Sequence, residues 1–281
     1  MNQCSDGNSG SMGGLSMTPD GIVFEYINQD EANFLYEEIF EQNVYLGDKS
    51  GIKVKDGDIV FDVGANIGLF SLFLLSEYQN LSVIAIEPIR RNFDVLNRNL
   101  QSYKTSHELR VVRFGVGACC SDQETFHFFI DTPGESTRHL NERTTQRKLL
   151  TDYLLHVGHY DDDNDNRYTT ESCPMTTVSN LMALNQVDHI DLLKIDVEGD
   201  ELEVLKGIEI SDFNNIKQIV VEVHDVQGRL SNITSILQAA GYCHISIQQQ
   251  TDNTSEDGMY QSFVPVALKL YILYATRGKS Y

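Results

Sequence analysis

Residues 59–75 of the 281-residue chain read IVFDVGANIGLFSLFLL. Ile59 to Val63 is a compact apolar run interrupted only by Asp62, the pattern of a strand buried on both faces. Leu69 to Leu75 continues as a helix. Between them, DVGANIG (Asp62 to Gly68) carries two glycines that let the backbone turn sharply and approach a ligand. The GxGxxG spacing that brings a pyrophosphate against a helix N-terminus is absent, which disfavours a nicotinamide dinucleotide. S-adenosylmethionine has no phosphate. Its ammonium suits an acidic residue such as Asp62, and its carboxylate suits the turn amides. The alternative is a tight strand–helix turn that holds nothing.

Outward from this stretch, strands are expected at Val83–Ile86, Leu109–Phe114, Ile190–Ile195 and Ile216–Val223. Helices are expected at Arg90–Leu100, Glu201–Leu205 and Leu230–Ala239. Alternation of this kind predicts an α/β fold, a mostly parallel sheet with helices on both faces. His244–Ile247 and Val266–Tyr274, separated by a polar loop, predict antiparallel closing strands. Before the glycine loop, Gly21–Tyr26 is expected as a strand. Asp30–Gln42 is expected as a helix with Phe34, Leu35, Ile39 and Phe40 inward and Glu31, Glu37 and Glu38 outward. Residues 1–20, rich in Gly, Ser and Asn, read as a disordered tail. That leaves an N-terminal segment, 21–57, and a main domain, 58–281. Residues 131–172, with the acidic run Tyr160–Asn166, break the rhythm and read as a lid-like insertion, helical at Arg147–His156.

Three further motifs end strands. In Ile86-Glu87-Pro88, the carboxylate follows the glycine loop by the interval at which an acid accepts the two hydroxyls of a ribose. In Leu192–Glu201 (LLKIDVEGDE), strand alternation puts Lys194, Asp196 and Glu198 on one side. Lys194 is either a structural ion-pair partner or a site residue. In Ile219–Asp225 (IVVEVHD), Glu222 and His224 share a face. An imidazole titrates near neutrality, so His224 can take a proton from an alcohol, with Glu222 or Asp196 orienting it. Asp196, Glu222 and His224 are also a plausible donor set for a divalent metal. His139 reads either as a substrate contact or as a surface residue.

The chain has 41 acidic and 21 basic residues, a formal charge of −20, and a pI of about 4.6. That balance disfavours nucleic acid and anionic membranes as partners. Five cysteines without a CxxC pair read as reduced thiols. With no apolar run of bilayer length and no signal-peptide pattern, a cytoplasmic location is expected.

In this order, VFDVGANIGLFSL, AIEP, LLKIDVEGDELEVLKGI and IVVEVHD…GRL resemble the FkbM family of methyltransferases over about residues 20–245. EEIFEQNVYL and QIVVEVHDVQGRL look like the FkbM-type domains of polyketide and nonribosomal peptide synthases. The resemblance implies a Rossmann-like class I methyltransferase fold, S-adenosylmethionine with S-adenosylhomocysteine as product, and O-methylation of a small metabolite or of an acyl or peptidyl chain on a carrier protein. A module that binds the cofactor without transfer is the non-enzymatic alternative. The implied cofactor positions are Asp62, Gly64, Ala65, Asn66, Gly68, Glu87, Pro88, Gly117 and Asp196, with Cys119 or Asp122 near the adenine. The implied active-site residues are Asp196, Glu198, Glu222 and His224. A carrier-docking face is expected at Arg138, Arg143, Arg147 and Lys148.

Overall fold

The protein, seen here in a computed structural model, is described over residues 12–156, 167–250 and 269–278. It opens with a hairpin of β1 (Met12–Met17) and β2 (Val23–Asn28), with Met17 opposite Val23. Residues 12–17 are therefore a paired strand, not tail. Main-chain pairing with β2 holds them, and that pairing does not depend on the Gly-rich composition. Residues 1–11 lie outside the described residues.

The Asn28 side chain accepts from the Asp30 and Glu31 amides and so starts α1 (Gln29–Tyr36). The helix runs on into a wider π-turn, Glu37–Glu41. This element corrects the expected amphipathic face. Phe34 is 61% exposed, whereas Glu38 is only 8% exposed and Glu31 is half-buried. Glu31 and Glu38 turn toward a cavity, and the period of the hydrophobic pattern does not anticipate that.

The main domain follows as β3 (Ile59–Val63), α2 (Leu69–Glu77), β4 (Ser82–Ile86), α3 (Arg90–Asn99) and β5 (Glu108–Val112). Next come β6 (Gly115–Val116), β7 (Ser121–Phe129), α4 (Leu140–His156), β8 (Tyr168–Thr176) and α5 (Val178–Asn185). The chain closes with β9 (Ile190–Ile195), α6 (Glu201–Lys206), α7 (Ile210–Phe213), β10 (Ile216–His224), α8 (Arg229–Ala239), β11 (His244–Gln249) and β12 (Leu270–Thr276).

Seven strands form one sheet in the order β11-β12-β10-β9-β3-β4-β5. All pairs from β10 to β5 are parallel, and β12 runs antiparallel to both β10 and β11. This is the Rossmann-like class I methyltransferase architecture. Alternating strand residues bury on opposite faces: Val60, Val83 and Val220 on one, Phe61, Ile84 and Val221 on the other. The chain reverses direction across the sheet between β3 and β9, so a crevice opens at the carboxyl ends of those strands.

Among the described residues of 115–176, regular structure extends beyond what a lid-like insertion predicts. β6, β8 and β7 form a second, three-stranded sheet, and Phe126, Phe128, Cys173 and Met175 form its small core with Ile89. Residues 168–172 belong to β8, and α4 begins at Leu140 rather than Arg147. The strands escape detection because SDQETFHFF and YTTESCPMT bury only one end. The acidic run 160–166, the loop 251–258 and Val266 lie outside the described residues. Among the described residues, no helix is long and apolar enough to cross a membrane.

Candidate active site

A cavity of about 660 Å³ opens at the carboxyl ends of β3, β4, β9 and β10, with α1 and residues 131–136 forming its far wall. The glycine loop sets one end. Gly64 (φ +78°) sits so close to the exit of β9 that a Cβ there would lie 1.6 Å from the Asp196 carbonyl oxygen. Gly64 and Ala65 donate to the Ile86 carbonyl at 3.0 and 2.9 Å. Asn66 takes a left-handed backbone, φ +49°. The buried Glu87 carboxylate accepts from the Asn66 amide at 3.0 Å and the Ile89 amide at 2.9 Å. Burial pushes its pKa up to about 7.

Gly64, Asn66, Glu87, Pro88 and Asp196 line the cavity together; Ala65, Gly68 and Gly117 do not. Gly68 starts α2 and packs on Leu96, and Gly117 packs on Gly207 at the end of α6. Phe114, Gly115 and Val116 form the wall expected of Gly117, Cys119 and Asp122.

Asp62, expected at an ammonium, is enclosed beneath the cavity. Its carboxylate accepts from Ser71 Oγ at 2.7 Å and pairs with Lys194 Nζ at 3.2 Å. Lys194 also reaches Asp196 at 3.2 Å and donates to the Gly64 carbonyl at 3.0 Å. Both acids hold its pKa above the usual range against the opposing effect of burial. The lysine is thus the ion-paired tie of β3 to β9.

Tyr45, which no local pattern flags, lies 3.2 Å from both Asp196 Oδ2 and Glu222 Oε2. One phenolic proton cannot serve two carboxylates. Burial and the neighbouring Asp196 raise the Glu222 pKa well above its usual value. Glu38 completes this group. It accepts from Gln250 at 2.6 Å, and burial with Asp196 nearby raises its pKa to about 7.

His224 ends β10. Its Nδ1 lies 3.0 Å from Glu201 Oε1, and its Nε2 lies 3.2 Å from Glu198 and 3.4 Å from Arg143 Nη2. Glu201 is placed to accept from Nδ1, whereas Nε2 faces both an acceptor, Glu198, and a donor, Arg143. Glu201 is fully buried; it also accepts from the Gly199 amide at 2.9 Å and faces Arg229 at 3.3 Å. The partner on Nδ1 is therefore Glu201, not Asp196 or Glu222, because Asp196 turns to Lys194 and Glu222 to Tyr45. Glu198 lies past the end of β9 with φ +55°, so strand alternation does not govern it. It swings toward His224 and pairs with Arg143. Among the described residues, the grouping with metal-ligand spacing is accordingly Glu198, Glu222 and His224, whose donor atoms all lie within 4.8 Å of one another, rather than the trio with Asp196.

Residues 137–147 close over this end. Thr137 Oγ1 donates to the Glu198 carbonyl at 2.6 Å. Arg138 makes a two-pronged pair with Asp200 at 2.6 and 2.8 Å, and His139 reaches the same carboxylate at 2.8 Å, which raises the histidine pKa. His139 is thus a fixed partner of Asp200. The expected basic docking face is not assembled: Arg138, Arg143 and Arg147 pair with Asp200, Glu198 and Glu135, and Lys148 alone is exposed.

The family model for the methyltransferase FkbM domain matches residues 62–243. The chain is 34% identical over 241 residues to the 31-O-demethyl-FK506 methyltransferase FkbM of Streptomyces tacrolimicus, covering 82% of this chain and 89% of that protein. It is 32% identical over 253 residues to the AMB antimetabolite synthetase AmbE of Pseudomonas aeruginosa, covering 82% of this chain and 11% of the synthetase. It is 29% identical over 234 residues to the methyltransferase sdnD of Sordaria araneosa, covering 79% and 86% respectively.

Proposed function

The chain belongs to the FkbM methyltransferase family, and from that premise we propose that it is an S-adenosylmethionine-dependent O-methyltransferase with His224 as the general base. The observation that carries the reading is the His224–Glu201 pair, which does not itself line the cavity but adjoins Glu198 and Glu222, the residues that line the end opposite the glycine loop and Glu87.

The residues present fit the cofactor. The cavity lies within the roughly 300–1,000 Å³ usual for such ligands, and Phe114 and Val116 offer an apolar wall to a purine. Glu87 uses two acceptor positions on the loop amides and keeps others for ribose hydroxyls. Asp196 and its neighbouring carboxylates suit a cationic sulfur. When bound, S-adenosylmethionine supplies an electrophilic methyl group.

The chain's own residues do the rest. His224 Nε2 removes the proton of the acceptor hydroxyl, a contribution of about 10²–10⁴ in rate. Glu201 holds the ring and stabilises the imidazolium, and Glu198 offsets that charge from the other side. Tyr45 and Glu222, hydrogen-bonded to each other, line the cavity where the acceptor would lie. Residues 131–147 exclude water. Arg143 occupies the cation position beside Glu198 and His224, so no divalent ion is required; full activity in EDTA is the expected result, and recovery only with magnesium or manganese contradicts it.

The acceptor is a hydroxyl on a small metabolite, as the name of the Streptomyces relative indicates for that protein, or on a chain carried by a carrier domain, as the match inside a synthetase suggests. The test is incubation with S-adenosylmethionine and hydroxyacyl groups, each free and carrier-loaded, read by mass. A methyl gain on carrier-bound chains alone selects the tethered substrate, and gain on free molecules selects a free-standing tailoring enzyme. No transfer at all, with S-adenosylhomocysteine still bound, rejects the O-methyltransferase reading.

A further inference from the structure

Resting on the cofactor assignment above, we propose that Glu31 and Asn92 are two further cofactor-binding residues, Glu31 receiving the ammonium of the amino-acid end and Asn92 a neutral donor of the nucleoside. Neither belongs to the glycine loop or to the strand-end acid. They come from α1 and from the first turn of α3 and meet at the Glu87 end of the cavity.

The local hydrogen-bond inventory supports this. Asn92 is 2% exposed; its Nδ2 donates to the Pro133 carbonyl at 3.4 Å, and its Oδ1 has no partner. Asn66 repeats the pattern: its Nδ2 donates to Glu31 Oε1 at 3.4 Å, and its Oδ1 is buried without a partner. With both amide nitrogens committed, neither side chain gains by flipping. Glu31 receives only that long bond and one from the Gly134 amide, and no cation within ion-pair distance is found among the described residues. An unmatched buried acceptor is destabilising, so such a set is retained where a ligand brings donors.

S-adenosylmethionine brings donors of both kinds. Its ammonium carries a charge that a lone carboxylate lacks, and its ribose and exocyclic amine are neutral donors. Glu38 is seven residues along from Glu31, about 10 Å in a helix, and belongs to the opposite end with Asp196 and Glu222. Burial raises the Glu31 pKa to about 7. An arriving ammonium favours its charged form, so binding below pH 7 releases a proton from it.

The test is isothermal titration at pH 6, in two buffers of different ionisation enthalpy, of wild-type protein, Glu31→Gln and Asn92→Leu. The probes are S-adenosylhomocysteine and 5′-methylthioadenosine, which lacks the amino-acid end. Glu31→Gln is expected to weaken S-adenosylhomocysteine about tenfold or more, to leave 5′-methylthioadenosine unchanged, and to abolish the released proton. Asn92→Leu is expected to weaken both ligands without lowering the Tm of the unliganded protein, because the Pro133 carbonyl keeps its bond from Ser136. If the leucine variant fails to fold, Asn92→Ala is read in the same way. Wild-type affinity for S-adenosylhomocysteine in Glu31→Gln, or for both ligands in either Asn92 variant, overturns the proposal. Failure of the wild-type protein to bind S-adenosylhomocysteine overturns the cofactor assignment instead.

Discussion

Beside the β10 end of the cavity, which Glu198 lines, His224 sits between Glu201 and Glu198, and Arg143 and Arg229 pair with those carboxylates. At the β4 end, Glu31 and Glu87 have no ion-pair partner among the described residues, and two asparagine oxygens have no donor. The same residue types are thus used in opposite ways. A charge-paired network, in which even Glu201 Oε2, without a hydrogen bond, faces Arg229 at 3.3 Å, is pre-organised: its geometry exists before any ligand arrives, which positions a base for proton removal. A set of unmatched acceptors is incomplete by itself and is completed by what binds. The two ends are joined by Lys194, which ties Asp62 under the glycine loop to Asp196 at the end of β9.

The contrast is broken most severely at His224. His224→Ala is expected to lower kcat by about 10²–10⁴ while leaving S-adenosylhomocysteine affinity unchanged. Equal losses of both, measured by single-turnover transfer and titration, would merge the two ends into one.

The tie between the ends comes next. Lys194→Met leaves the enclosed Asp62 and the cavity-lining Asp196 without their cation and is expected to cost about 3–5 kcal/mol of stability, read from chemical denaturation. An unchanged midpoint contradicts the enclosed pairing.

Glu201→Gln keeps a hydrogen-bonding side chain on Nδ1 but removes its charge. A fall in kcat of about 10–100-fold is expected, by analogy with the groups that orient catalytic imidazoles. An unchanged kcat would leave Glu201 as a partner of Arg229 alone.

The smallest effect is on stability against pH. Glu31, Glu38 and Glu87 stand at about 7 in the fold against an ordinary 4.5. Below 4.5 both folded and unfolded chains hold these protons. Between 4.5 and about 7 the unfolded chain has released them and the native protein has not, so their contribution to stability falls as pH rises through this window. Glu38→Gln removes one such group and is expected to flatten the decline in Tm between pH 5 and 7.5. Parallel curves for variant and wild type would show that Glu38 ionises freely.

The central sheet was legible because β3, β9 and β10 are apolar on both faces and punctuated by Gly64, Glu87 and the LLKIDVEGDE turn. The strand-end chemistry was legible for the same reason, since period two places Glu222 and His224 together while the chain remains a strand. It failed three residues past the end of β9. Glu198, in a left-handed conformation, left the row of Asp196, and Glu201, which resembles an ordinary acid in the first turn of a helix, became the partner of His224. Glu31 and Glu38 were hidden by a different rule. An amphipathic pattern assumes that the inner face is apolar, whereas α1 packs against a cavity that requires acids. Tyr45 and Asn92 depend on partners far away in sequence, such as Asp196 and Pro133, and nothing local marks them.

The most direct test of the paired end as the catalytic one is a double-mutant cycle of His224→Ala and Glu201→Gln, with single-turnover methyl transfer to one accepted substrate as the readout. If Glu201 acts through His224, the double variant is no slower than His224→Ala alone. Losses that multiply, or wild-type transfer by His224→Ala, would contradict the assignment of His224 as the base.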